Sequence, residues 1–88
     1  MDDDTLKAYG YVISSSYREK SVQSLSKSDK IPTDLAADIG IRRNHISKVL
    51  SELKDCGIAE CINEDKRKNR VYRLTSKGED VAKLISKD

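Results

Sequence analysis

Gly40 stands between two short amphipathic periods, and no other feature of the chain constrains its fold as tightly. Before it, Leu35, Ala36 and Ile39 fall on one face of a helix; after it, Ile46, Val49, Leu50 and Leu53 recur at i, i+3, i+4 and i+7. Glycine takes a left-handed backbone at little cost, so it ends the first helix and turns the chain sharply, with Ile41 dropping into the angle as a plug. Ala36 is small enough to let the two helix axes approach. The stretch from Pro32 to Ile58 therefore reads as a helix-turn-helix, with an ordinary helical hairpin as the competing reading.

The ends of the two helices follow from capping chemistry. Thr33 is the expected cap oxygen of the first, with Asp34 at the positive end of the dipole. The second is expected from about Asn44 to Asp55, because Asn44 can cap where Arg42 and Arg43 cannot, and Gly57 closes it in a left-handed conformation.

On the N-terminal side, Leu6, Tyr9, Val12 and Ile13 recur at helical spacing, though Gly10 and the β-favouring run Tyr11-Val12-Ile13 work against a helix. Ser16 followed three residues later by Glu19 predicts a capping box and a helix from about Tyr17 to Ser26, with Tyr17, Val22 and Leu25 inward. On the C-terminal side, residues 58–62 and 70–74 alternate roughly with period two around a charged run, which predicts a β-hairpin with a long basic tip. Thr75 then caps a last helix carrying Val81, Leu84 and Ile85 on one face, with Glu79 and Asp80 near its start and Lys83 and Lys87 near its end.

Eighty-eight residues suffice for one small domain, expected over 1–88 with an N-terminal segment at 1–15, the helix-turn-helix at 33–57, the hairpin at 58–74 and the last helix at 75–87. Hydrophobic and charged residues each make up 36%, with no Trp and no Phe, so the core is expected to be thin and aliphatic. Tyr9, Tyr11, Tyr17 and Tyr72 suit its edge better than a base-stacking platform, since they do not share a strand face. No run is long enough to span a bilayer, and the acidic start Met1-Asp2-Asp3-Asp4 has the wrong sign for a secretory leader. A cytoplasmic, nucleoid-associated location is the expectation. Cys56 and Cys61 are too few for a structural zinc site and His45 is far from them, so free thiols are expected, with no metal and no cofactor.

The net charge of +2 says little until it is divided along the chain. From Arg42 to Lys77 there are ten Lys and Arg against five Asp and Glu, or +5, which leaves −3 for the rest. Arg42, Arg43, Asn44, His45, Ser47, Lys48 and Ser51 point away from the expected core, and this face carries no acid as far as Ser51. Arg can hold guanine O6 and N7, Asn can hold adenine N6 and N7, and Lys48 suits a phosphate. His45 is read either as a base or phosphate donor or as packed against the corner. A solvated helix face is the bland alternative, but such faces normally mix both signs. In the hairpin tip, Lys66, Arg67, Lys68 and Arg70 repel one another unless an anion relieves them, and Asn69 is placed for a minor-groove acceptor. A merely solubilising loop is the alternative there. The Thr33 hydroxyl and nearby amides are a weaker phosphate candidate.

Helix, helix, helix-turn-helix, hairpin and helix in that order make a winged helix, mainly α with a small β-hairpin. No glycine-rich phosphate loop and no nucleophile-base pair for the single histidine can be found, so no enzyme is expected. The runs TDLAADIGIRRNHISKVLSELKDCGI and NRVYRLTSKGEDVAKLI resemble the winged-helix transcriptional regulators related to the MarR and ArsR groups. The similarity is greatest to small archaeal DNA-binding proteins, in which an element like Ser15-Ser16-Tyr17-Arg18 precedes the first core helix. The resemblance implies that Arg43, Asn44, His45, Ser47 and Lys48 face the major groove, and that Arg67, Lys68 and Arg70 face the backbone. The sequence departs from that pattern at Arg42, where many relatives carry a capping Ser, and in the wing, where Asp65-Lys66-Arg67 only loosely matches an Asp-Arg order. The cysteine motif of ArsR metal sensors is absent. The expected function is a sequence-specific, double-stranded DNA-binding regulator of transcription, a homodimer built on the terminal apolar residues, with packing of the two end helices on each other within one chain as the equal alternative for those residues. The alternatives are a winged-helix module that binds protein, and a non-specific RNA-binding or architectural module.

Overall fold

In the computed structural model, which describes residues 2–86, the elements are α1 (Asp3–Ile13), α2 (Ser16–Lys27), α3 (Pro32–Ile39), α4 (Arg43–Asp55), β1 (Ala59–Cys61), β2 (Tyr72–Leu74) and α5 (Ser76–Ser86). Lys87, expected near the end of the last helix, lies outside the described residues. A buried cluster that includes Val12, Val22, Leu35, Ile46, Leu53, Ile58 and Val81 draws on all five helices and the root of β1.

The helix-turn-helix corner is built as its residues dictate. Gly40 adopts φ 77° and ψ 37°, and the amides of Gly40 and Ile41 both donate to Ala36 O, at 2.9 and 3.0 Å. Ile41 packs on the core as the expected plug. Ile46, Val49, Leu50 and Leu53 are all buried on one face of α4. Gly57 ends that helix at φ 78°, and the amide of Ile58 donates to Leu53 O at 2.9 Å while that of Gly57 donates to Lys54 O at 3.1 Å, the paired bonds of a Schellman motif.

Three expected caps are displaced. Pro32, whose missing N–H is no loss at a first helical position, starts α3, so Ile31 is the half-helical residue and Thr33 sits inside the first turn. Arg42 is already extended at φ −77° and ψ 153° and α4 begins at Arg43, which makes Asn44 an exposed second-position residue and not a cap. The corner leaves only Gly40, Ile41 and Arg42 between helices, so turn geometry, not capping chemistry, decides where α4 starts. In α2 the cap is Ser15, whose Oγ accepts from the Arg18 amide at 3.3 Å, and the Ser16-Glu19 box does not form.

Two inward faces also differ from expectation. In α1, Thr5, Ala8 and Val12 are buried, while Leu6 and Ile13 are 48% and 42% exposed. Ala8 and Thr5 are small, which lets α1 lie against α5. In α2, Tyr17 is exposed and the buried residues are Ser21, Val22, Ser24 and Leu25. Arg18, Ser21, Val22 and Leu25 are the i, i+3, i+4, i+7 set that the Tyr17 assignment overlooked.

β1 and β2 pair antiparallel, with Ala59 opposite Leu74 and Cys61 opposite Tyr72. An unpredicted bridge joins Lys30 to Tyr72 through bonds of 3.0 and 2.8 Å, fastening the α2–α3 connection to the hairpin. Thr75 caps α5 as expected, its Oγ1 accepting from the Gly78 amide at 3.1 Å.

Side-chain bonds to carboxylates give the fold an acid limit. Ser24 Oγ donates to Asp38, joining α2 to α3 and holding that carboxyl below the usual carboxylate range. The Thr5 amide does the same for Asp2, and Lys54 for Glu64. Each group prefers its ionised form when folded, so its contribution is present above the unfolded carboxylate pKa of about 4 and is lost as pH falls through the lower folded value. Urea midpoints are expected to drop below about pH 4, and the Asp38→Asn variant should lose less stability on acidification than the native chain. An identical acid slope in the two would show that the Ser24–Asp38 bond contributes nothing.

Candidate nucleic-acid interface

The residues left over when α4 buries its apolar face form one exposed ridge. Arg42, Arg43, Asn44, His45, Ser47, Lys48 and Ser51 are all exposed, at the start and along the outer side of the helix. Ser47 Oγ donates back to Arg43 O at 3.2 Å, so its hydroxyl retains mainly acceptor capacity outward. Glu52, the first acid after the ridge, is turned aside: its carboxylate accepts from Arg18 at 3.4 Å.

Tyr17 lies beside this ridge, 40% exposed, its ring centroid 5.9 Å from that of His45 and tilted by 55°. This corrects its expected place at the core edge. The signal was present in the sequence, because Tyr17 is five residues from Val22, a spacing that falls off that residue's helical face, whereas Arg18, Ser21 and Leu25 share it.

The wing is held open at its root by one side chain that sequence reasoning missed. Asn63 donates through Nδ2 to Asn69 O at 3.2 Å and accepts from the Val71 amide at 2.7 Å. Asn69 is the one non-glycine residue with positive φ, 57°, among those described, a conformation that Asn tolerates better than most. Arg70 is exposed and also braces the tip: Nε donates to Lys66 O at 2.7 Å and Nη2 to Glu64 O at 3.2 Å. Lys66, Arg67 and Lys68 are exposed and form no ion pair among the described residues. An ion pair of 2.5 Å between Lys54 and Glu64 ties the end of α4 to the wing and raises the lysine's pKa.

Thr33, expected as an isolated candidate, shares a cleft of about 180 Å³ with Arg67, Asn69 and Arg70, between the start of α3 and the wing. The expected residues thus form two groups, the α4 ridge and the wing with Thr33. Among the described residues no cluster of three or more His, Cys, Asp or Glu is placed to hold a metal ion, and no helix is long and apolar enough to cross a membrane. Cys56 and Cys61 are free thiols, and partial burial pushes the Cys56 pKa up.

No family model matches the sequence, and no curated protein matches it. Solved structures do. A mutant of ZitR from Lactococcus lactis superposes with a TM-score of 0.74 at 19% identity, over 83% of this chain and 51% of that one. The adhesin competence repressor AdcR from Streptococcus pyogenes gives 0.75 at 18%, over 83% and 55%. A homodimeric winged helix-turn-helix DNA-binding domain from Mycobacterium bovis, a possible ArsR-family transcriptional regulator, gives 0.71 at 23%, over 98% and 82%. The chain thus spans about half the length of ZitR and of AdcR. Its fold is the winged helix, five helices with a two-stranded hairpin.

Proposed function

We propose that this protein regulates transcription by binding double-stranded DNA, with α4 in the major groove and the wing along the backbone. The observation that carries the reading is the exposed α4 ridge, free of acids from Arg42 to Ser51, set on the same frame as the unpaired cations Lys66, Arg67 and Lys68. A ridge of this kind matches a groove that offers base-edge acceptors between rows of phosphate. Arg43 and Asn44 are the base readers, Arg42 and Lys48 the flanking phosphate contacts, and His45 a polar contact whose ring is oriented by Tyr17. Thr33 contributes one further phosphate contact at the wing cleft. Residues 1–88 act as one DNA-binding unit in the cytoplasm, on the nucleoid.

The protein works as a homodimer. Leu6 and Ile13, seven residues apart on α1 and both exposed, form an apolar edge that a second copy can cover. Light scattering at micromolar concentration is expected to give twice the chain mass, and a clean monomer would remove the dimer.

Selection of duplexes from a random pool, followed by titration over a salt series, tests the reading. A selected duplex is expected to bind on the order of 10³-fold or more tighter than random duplex, and to keep more of its affinity as salt rises. Equal affinity for both would reduce the protein to a non-specific binder. If backbone amides of α4 and the wing do not move on adding duplex at low ionic strength, the basic face serves an acidic protein instead.

A further inference from the structure

Two consecutive residues of α2 touch α4 at points two turns apart. The Tyr17 ring lies against His45, and Arg18 Nη1 donates to Glu52 Oε1 at 3.4 Å. Residues seven apart share a helix face and lie about 10 Å apart along the axis. The buried face of Ile46, Val49, Leu50 and Leu53 seats α4 in the core, and two outer contacts at that spacing fix how it tilts against α2.

Arg18 is itself anchored from the other side. Its Nε donates to Tyr11 O at 2.9 Å and its Nη2 to Ser14 Oγ at 2.9 Å, and the guanidinium carbon lies 3.8 Å from the centroid of the Tyr11 ring. The side chain is only 13% exposed. A guanidinium is a planar fork with fixed donor directions, so it cannot hold the end of α1 and also follow a Glu52 that moves independently. The end of α1 and the C-terminal half of α4 are therefore joined through one rigid group.

We propose that Tyr17 and Arg18 are positioning residues for the α4 ridge, setting its tilt on the frame and tying that tilt to the C-terminal end of α1. The consequence for binding rests on the DNA-reading function above; the mechanical link does not. Because Leu6 and Ile13 are on the same helix, a second copy packed on α1 acts on α4 through Arg18. The pair is partly buried, with side-chain exposures of 13% and 27%, so circular dichroism is read beside the amide shifts to separate lost geometry from lost folding.

The full-length Arg18→Lys variant keeps the positive charge but loses the fork. It is expected to stay folded by circular dichroism while the amide resonances of both residues 11–14 and residues 43–51 shift. Its affinity for a duplex selected with the native protein should fall about tenfold, with random duplex affected much less. Glu52→Gln, nearly isosteric, approaches the link from α4 and should move the amides of residues 11–14. Tyr17→Ala combined with Arg18→Lys should depart from the sum of the single effects. If Arg18→Lys moves only α1, or Glu52→Gln moves only its own turn, the link is refuted. If the native protein binds no duplex while these shifts occur, the DNA reading fails and the link stands.

Discussion

Gly78→Ala is expected to destabilise the protein severely, by about 3 kcal/mol or more, although the same exchange in an isolated helix would stabilise it by about 1 kcal/mol. A Cβ at this position would lie 2.1 Å from Ile58 O and 3.2 Å from Leu74 Cβ, and the nearer atom belongs to the backbone at the root of the hairpin. Ile58 O cannot step aside easily, because it accepts from the Thr75 amide at 2.9 Å. The alternative is for α5 to lift off the hairpin, which loosens the packing of Val81, Ala82 and Ile85. At roughly 4–8 °C per kcal/mol for a domain of this size, the melting temperature should fall by more than about 12 °C. Gly10→Ala is the matched control. A Cβ there meets nothing within 4 Å on an exposed helix face, so propensity alone acts and a gain of about 0.5–1 kcal/mol is expected. Opposite signs for the two glycines in parallel thermal melts are the diagnostic result. A rise at both would mean that α5 does not approach β1 as closely as described.

Neutralising Lys66, Arg67 and Lys68 together should weaken binding to every duplex alike and flatten its salt dependence, if these residues track the backbone. Each lost phosphate contact removes about 0.9 from the slope of log K against log salt, so three remove about 2.7, equivalent to about 10²-fold at 0.15 M salt. Arg43→Ala or Asn44→Ala should instead cost about 1–3 kcal/mol on the preferred sequence and little on random DNA. Arg70→Gln belongs to neither set. Its guanidinium holds Lys66 O and Glu64 O, so the loss should appear as altered wing amide resonances even without DNA. Shift assays on selected and random duplexes over a salt series separate the classes, and identical behaviour of the ridge and wing variants would end the division of labour between them.

Much of the frame was legible without coordinates, for reasons that are local. Gly40 and Gly57 need positive φ, Leu35 and Ala36 on one side and Ile46 through Leu53 on the other have one helical period each, and Thr75 reaches an amide three residues on. Each is decided within a turn or two of chain. The exposed positions of Arg42 to Ser51 follow from the same periodicity, because a helix that buries one face must present the other. The misplaced features depend on who the neighbour is. Thr33 and Asn44 have the right chemistry for caps, but Pro32 and the shortness of the corner put the caps two residues earlier, at Ile31 and Arg42.

The sequence by itself therefore determined the order of the elements, the corner at Gly40 and the separation of an apolar underside from a basic ridge, since these depend on backbone preference and side-chain period. Only the tertiary structure decided that Arg18 would bind Glu52, 34 residues away, that Arg70 would brace the wing through Lys66 O and Glu64 O, and that Gly78 would have no room for a methyl group. Those outcomes turn on distances of a few tenths of an ångström between segments remote in the chain, and a one-dimensional pattern carries no such distances.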